Sequence, residues 1–448
     1  MRSLLVKLML KRQKDFFKRL EEFEKTQYWS KAELEAYQEE KLQKLIRHAY
    51  ETVPFYKELF NKEKLKPDDI KKIKDLQKLP ILEKETLRSN QKQLLSRYVT
   101  NETISFRQTS GATGVPLSIA NNYNASIIEG ALFYRYLRWM GYNWGDKILK
   151  FWGGHVIDSP ISRFKKMISR IIYNETFYDT YKVNDELLSK LALKIKDCPP
   201  PILRGYTSSI YLLALKCLEL GIIIRLNAVS PTAEKLYRFQ RDKMEEAFGK
   251  NIFDQYGCGE TNSIAFECEK HMGLHVASEH VVLEIIDGDG QRESQGRVII
   301  TNLDDYAMPI IRYENGDMAS WSNERCSCGR NLPLLKEIEG RIYDFIKGPN
   351  GKDVHTGFFD GILNEMNVDK KYSIKEFRVV QERIDKIRIE FVTEDNLNKR
   401  DEKIIKDKIN EYVGEMEIEI RKVKEIPMTK MGKKMFVVSM LNRDKWEL

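Results

Sequence analysis

Five short segments, far apart along the chain, carry residue types suited to holding a phosphorylated nucleotide. The first, Arg107-Gln108-Thr109-Ser110-Gly111-Ala112-Thr113-Gly114-Val115-Pro116, sets two glycines among three hydroxyl side chains. Glycine admits a tight backbone with positive φ, so successive N–H groups can converge on an anion while the hydroxyls donate to phosphate oxygens. The Gly-Lys-Ser/Thr ending of a Walker-type loop is missing. Taken alone, the segment is equally an ordinary Gly/Ser/Thr turn. The second, Asp254-Gln255-Tyr256-Gly257-Cys258-Gly259-Glu260, follows an apolar approach and offers a ring to stack on a purine and a carboxylate for a Mg²⁺ that bridges polyphosphate oxygens. The third, Ile311-Arg312-Tyr313-Glu314-Asn315-Gly316-Asp317, is a turn ending in an acid suited to gripping two ribose hydroxyls. Gly340-Arg341-Ile342-Tyr343-Asp344 stands where the texture of the chain changes, and Pro427-Met428-Thr429-Lys430-Met431-Gly432-Lys433-Lys434 sets lysines on a loop.

A second chemistry is carried by thiols. Cys326 and Cys328 share one tight turn, and Cys268 and His275 lie close together upstream. Three cysteines and a histidine make the closed tetrahedral set of a structural Zn²⁺, with His271 as the alternative nitrogen. Unmetallated thiols are the plainer reading. The six cysteines, at 198, 217, 258, 268, 326 and 328, are too few and too unevenly placed for a disulfide framework. Cys198 and Cys217 read as filler, and His48, His280 and His355 as structural. His155 differs because two glycines precede it.

The elements that must position these residues fall into three stretches. Residues 1–97 are mostly helical, with apolar positions three and four apart and Pro54, Pro67 and Pro80 as punctuation. Short strands over 281–286 and 297–301 then alternate with amphipathic helices over 209–220 and 233–248, which predicts α/β layers. After Gly340, strands over 377–380, 387–392 and 417–423 and a helix over 401–413 suffice for a small α+β unit. The boundary is expected near 341–345.

At 448 residues the chain should hold more than one domain. The 75 basic and 67 acidic residues are mixed, giving a net charge of +8 without a basic stripe or a nucleic-acid-binding module. No apolar run approaches the roughly 20 residues of a membrane span, and no signal peptide is legible, so a cytoplasmic protein is expected. Residues 7–18 alternate Lys and Arg with Leu, Met and Phe at helical spacing, which allows weak contact with a membrane surface; a plain surface helix has the same pattern.

Together, the segments resemble the adenylate-forming superfamily of acyl-CoA synthetases. More narrowly they are similar to the phenylacetate–CoA ligase family and its relatives encoded with capsular polysaccharide genes, a likeness shared by His48-Ala49-Tyr50-Glu51-Thr52-Val53-Pro54-Phe55-Tyr56, Leu79-Pro80-Ile81-Leu82-Glu83-Lys84 and residues 200–209. The resemblance implies an α/β fold: a large domain over 1–340, with layered α/β subdomains and a β-barrel-like part, and a small mobile α+β domain over 341–448. It implies a phosphate loop of Thr109, Ser110, Gly111, Thr113 and Gly114. Thr232, Ala233 and Glu234 would lie along adenine, with Tyr256 on its other side and Asp254, Gln255 and Gly257 in the same nucleotide-binding segment. Glu260 would bind Mg²⁺, Asp317 the ribose and Arg341 the ribose–phosphate region, while Asp344 would be the hinge and Lys433 the lysine inserted during adenylation. Lys433, Glu260 and Thr109 would take the catalytic parts, and Trp152, Gly153, Gly154 and His155 would line the acyl pocket.

The implied reaction joins a carboxylate to the α-phosphate of ATP and expels pyrophosphate. The acyl group then passes to an acceptor: CoA, or alternatively an amine or a sugar. Mutual repulsion of the anionic reactants explains the need for Mg²⁺, N–H groups and a lysine. A homodimer is a further implication. Three positions depart from the family pattern: Gly259 in place of a hydroxyl residue, Glu314-Asn315 in place of an Arg-Thr pair, and Val115 in place of a lysine. They motivate a further alternative, a nucleotide-binding protein without turnover.

Overall fold

A computed structural model describes residues 15–100, 104–108, 117–152, 174–178, 184–341, 345–350, 353–355, 359, 374–427 and 436–441. Helices α1 (Phe16–Thr26), α2 (Lys31–Thr52), α3 (Pro54–Lys62) and α4 (Lys84–Ser89) make up the helical opening. A capping box starts α2: Glu33 N donates to Ser30 Oγ at 3.3 Å, and Ser30 N donates back to the Glu33 carboxylate at 2.7 Å. Pro54, expected as punctuation, instead opens α3, where its missing N–H costs no helical bond. This layer braces a later segment. The Tyr56 hydroxyl donates to Pro309 O (2.8 Å) and accepts from Ile311 N (3.2 Å), and Leu82 exchanges backbone bonds with Arg312 and Glu314. Of residues 7–18, only 15–18 are described, and there Phe16 is buried against the core.

The hairpin β1 (Ile104–Gln108) and β2 (Ser118–Asn122) leads into α5 (Tyr123–Trp139), whose first turn is capped by Asn122 accepting from Ala125 N at 2.7 Å. Next come β3 (Ile148–Phe151), β4 (Glu175–Tyr178), α6 (Asp185–Asp197), β5 (Ile202–Tyr206), α7 (Thr207–Glu219), β6 (Ala228–Thr232) and α8 (Arg238–Phe248). The four strands form a parallel sheet in the order β4-β3-β5-β6. Side chains alternate across it: Leu149, Phe151 and Leu203 join the core under α6, α7 and α8, while Ile148, Ile202 and Ala228 join the core with α5. Gly205 is required for this fit, since a Cβ there would come within 2.4 Å of Phe151 O.

A second sheet has seven strands: β7 (Gln255–Tyr256), β8 (Ala265–Glu267), β9 (Leu274–Val276), β10 (Val281–Ile286), β11 (Gln295–Asn302), β12 (Tyr313–Trp321) and β13 (Leu334–Arg341), paired antiparallel in the order β10-β11-β12-β13-β9-β8-β7. The two sheets meet before β7, where Phe253 N donates to Val229 O of β6 at 2.8 Å.

Beyond Arg341, β14 (Phe345–Lys347) pairs with β15 (Asp353–His355). A mixed sheet then forms from β16 (Ile374–Arg383), β17 (Lys386–Thr393), β18 (Glu417–Val423) and β19 (Val437–Ser439), with α9 (Lys399–Val413) between β17 and β18. This unit docks on α7 and α8 through Tyr237 against Phe436 (5.1 Å), Phe239 against Phe377 (6.0 Å) and a hydrogen bond from the Tyr211 hydroxyl to Lys375 O. The expected strands and helices here lie within the observed ones. The helix expected over 233–248 begins only at Arg238, because Ala233 takes a left-handed conformation with φ 68°. Among the described residues, no helix is long and apolar enough to cross a membrane.

Candidate active site

The carboxyl ends of the parallel strands are where an open α/β sheet offers a binding crevice. There β6 ends at Thr232 and the chain turns through Ala233 into Glu234. The Glu234 carboxylate accepts from Ser208 N (2.7 Å) and Ser208 Oγ (3.2 Å), so it sits on the positive end of the α7 dipole. The turn is also tied to β13, since Lys235 Nζ donates to Glu339 O at 2.7 Å.

Beside this turn stands Tyr256. Its hydroxyl donates to Asp317 Oδ2 at 2.8 Å, and the Asn315 side-chain nitrogen donates to both the Tyr256 oxygen and Asp317 Oδ2, each at 2.6 Å. Asn315 Oδ1 in turn accepts from Asp317 N. Burial, reinforced by the Asp317 charge, holds the phenol well above its usual pKa, so Tyr256 remains a donor. Asp317 and Arg341 are register partners on β12 and β13, which sets the Arg341 backbone beside the acid. The Arg341 side chain lies outside the described residues.

Glu260 is reached from the same strand. Tyr313, fully buried at the start of β12, donates its hydroxyl to Glu260 Oε1 at 2.8 Å. The segment bearing Glu260 is also anchored to the strand that enters the first glycine-rich segment. Arg107 pairs with Glu129 at 2.6 Å, Ser263 Oγ donates to Glu129 O, and the Asn262 amide, turned to satisfy both its ends, bridges Arg107 Nη1 and Cys258 O. Burial and the Glu260 charge push the Cys258 thiol well above its usual pKa, leaving it a neutral neighbour.

Other expected residues fall less directly on this cleft. Burial and Glu267 raise the Asp254 carboxyl to about 7, against the pull of Arg241, and its Oδ1 accepts from Gln255 N. Gln255 and Gly257 flank Tyr256, and a Cβ on Gly257 would press within 3.3 Å of Ser263 N. Trp152, at the end of β3, packs its ring on Tyr206 at 5.5 Å. Thr109, Ser110, Gly111, Thr113, Gly114, Val115, Gly153, Gly154, His155, Asp344 and Lys433 lie outside the described residues.

Tyr313 and Asn315 are the two site residues that sequence reasoning passed over. Asn315 stood out only as a departure, whereas here it clamps the acid two residues on. The signal was present in the Tyr-x-Asn-x-Asp alternation, which puts all three on one face of a strand.

The thiol cluster is assembled from β8, β9 and the turn after β12. Ligand atoms of Cys268, His275, Cys326 and Cys328 all lie within 4.8 Å of one another. Cys268 Sγ is 3.6 Å from Cys326 Sγ, and Cys328 Sγ is 3.4 Å from His275 Nε2. Tetrahedral zinc bonded at its usual lengths would separate two sulfurs by about 3.8 Å and a sulfur from a nitrogen by about 3.6 Å, so the donor set fits. Burial lowers the His275 pKa to about 4, which keeps the imidazole neutral as a ligand must be. His271 instead turns its Nδ1 to Glu267 at 3.0 Å. Of the remaining described imidazoles, His280 is buried against Asp304 at 2.8 Å, and His48 bonds Tyr306 O at 2.8 Å.

The fold is that of the adenylate-forming CoA ligases. Across 93% of this chain and 91% of the other, at 20% identity, it superposes on 2-hydroxyisobutyryl-CoA ligase in the postadenylation state with its acyl-AMP, with a TM-score of 0.74. The same ligase in its thioesterification state scores 0.60. In sequence, the chain is 26% identical over 329 residues to the phenylacetate-coenzyme A ligase of Thermus thermophilus, covering 71% of this chain and 73% of that one. It is 24% identical over 416 residues to protein CapK of Staphylococcus aureus, covering 90% and 88%. Residues 346–440 match the CapK C-terminal domain.

Proposed function

We propose that this chain is an ATP-dependent, AMP-forming ligase that converts a carboxylic acid to an acyl-adenylate and passes the acyl group to CoA. The observation that carries the reading is the hydrogen-bonded meeting of the Tyr256–Glu260 and Tyr313–Asp317 segments, through Tyr256, Asn315 and Asp317 and through the Glu260–Tyr313 pair. In this reading adenine lies between the 232–234 turn and the Tyr256 ring. Asp317, oriented by two donors, accepts from the ribose hydroxyls. Glu260 keeps Oε2 free of hydrogen bonds from described residues, and with Oε1 held by Tyr313 it would hold Mg²⁺, which would neutralise phosphate charge. Thr109, Ser110, Gly111, Thr113 and Gly114 would form the phosphate loop; Arg107, which precedes them in the chain, is tied to the segment after Glu260.

The large domain ends at residue 340, and the small domain swings about Asp344 to bring Lys433 to the developing charge and to withdraw it afterwards. Cys268, His275, Cys326 and Cys328 hold a structural zinc that pins the segment after Glu260 to the strand-rich sheet. The site of action is the cytoplasm, where thiols stay reduced. A second reading keeps the adenylation and sends the acyl group to an amine or a sugar; it is favoured by the CapK match over residues 346–440.

Pyrophosphate release with a panel of carboxylic acids, followed by mass spectrometry of the product with CoA present, tests both readings. A thioester supports the first, and an acyl-adenylate that CoA cannot capture supports the second. No pyrophosphate with any acid would leave only nucleotide binding. Lys433→Ala should abolish acyl-adenylate formation and leave ATP affinity much less affected; equal loss of both would argue against its role.

A further inference from the structure

Among the described residues, one charged group beside Trp152 has no counterpart. Arg204 lies in the middle of β5, in register with Lys150 on β3 and Ser230 on β6, on the face that α5 covers. Its guanidinium lies over the Phe133 ring at 4.4 Å and the Trp152 ring at 5.0 Å. Contact with rings leaves the in-plane N–H edge for hydrogen bonding. Among the described residues, no acceptor meets that edge, and Nε is sealed from solvent without a partner. The residue as a whole is only partly buried, so it is not closed off on every side.

Among the described residues, the surrounding charges do not balance Arg204. Glu175, whose field reaches it, is already hydrogen-bonded to Lys150. Two cations and one carboxylate leave a surplus positive charge in a half-buried, ring-lined place. Burial lowers the Arg204 pKa to about 10, so it stays charged at neutral pH. A charge without a partner in such a setting costs several kcal/mol and is met in proteins by an opposite charge.

The position says which molecule supplies that charge. Ser230, the register partner of Arg204, precedes Thr232 by two residues, which sets Arg204 about 7 Å back along the strands from the adenine turn. Trp152 and Tyr206 stand between that depth and the mouth, and Ile148, Ile202 and Ala228 close the base. Resting on the carboxylate-ligase reading, we propose that the acid carries, besides the carboxylate that is adenylated, a second anionic group at its far end. A second carboxylate is the simplest case, gripped by the free edge of Arg204. The planar fork of a guanidinium matches a carboxylate in two parallel hydrogen bonds.

Pyrophosphate release measured with length-matched pairs, glutarate against pentanoate and adipate against hexanoate, tests this. The wild-type protein should favour the diacid, and Arg204→Met should shrink the diacid-to-monoacid ratio of kcat/KM by about 10- to 150-fold, mostly through KM. Arg204→Lys should fall between, since it keeps the charge and loses the fork. A wild-type preference for the monoacids, or a ratio unmoved by Arg204→Met, would overturn the proposal. Should no acid release pyrophosphate, the ligase reading fails separately. Calorimetric titration of glutarate into the wild-type and Arg204→Met proteins then decides the anion site alone: tighter binding to wild type sustains it, and equal binding ends it. A purely structural arginine would lower the melting temperature on substitution without changing that ratio.

Discussion

Tyr313→Phe removes a single oxygen from a ring with 0% exposure and leaves the ring's packing in place. Among the described residues, that oxygen's only hydrogen bond is to Glu260 Oε1, at 2.8 Å, and Glu260 is itself 6% exposed. A hydrogen bond to a charged group contributes about 1.5–3 kcal/mol, and water cannot readily replace a donor in so enclosed a place. If Glu260 acts on the metal–phosphate group and needs Tyr313 to aim it, the loss appears in the transition state. At about 1.4 kcal/mol per decade, kcat/KM for ATP-dependent pyrophosphate release should fall by about 10- to 150-fold. The concentration of Mg²⁺ needed for half-maximal rate should rise in parallel. Steady-state kinetics over an ATP and a Mg²⁺ series reads both, with the melting temperature reported alongside. A variant with wild-type kinetics and wild-type Mg²⁺ dependence would refute the assignment of Glu260, because the phenol would then orient nothing that the reaction uses.

Tyr256→Phe and Asn315→Ala should each raise the KM for ATP by about 3- to 30-fold. The double variant should show a coupling of about 0.5–3 kcal/mol, since both donors converge on Asp317 Oδ2; additive losses would break that link. Cys326→Ser should strip bound zinc, measured by elemental analysis, and cost about 4 kcal/mol of stability; wild-type protein without zinc would end the proposal. Burial, with a contribution from Glu129, raises the Asp305 carboxyl to about 7 against the N–H groups of Ala307 and Asn122. The folded state therefore keeps a proton that the unfolded state has released, and stability declines as pH climbs from about 4 to about 7. Asp305→Asn should flatten that decline and at pH 8 be more stable than wild type by on the order of 4 kcal/mol, read from melting temperatures between pH 4.5 and 8. A parallel pH dependence in both proteins would contradict it.

What could be read from the chain alone were features set by near neighbours. Strands over 281–286 and 417–423, the helix ending at Val413 and the small α+β unit after 340 follow from alternation and spacing, which act within a few positions. The Cys326-x-Cys328 turn was legible for the same reason, because one turn brings both thiols together. Tertiary structure alone decided the pairings between distant positions. It chose His275 over His271, since the chain after Cys268 turns through His271 at φ 51° and sends it to Glu267. It made Asn315 a clamp and Tyr313 the partner of Glu260, and among the described residues it left Arg204 without an acceptor. Each of these depends on which strand lies beside which, and register between strands is set by burial across the whole sheet rather than by any local run of residues.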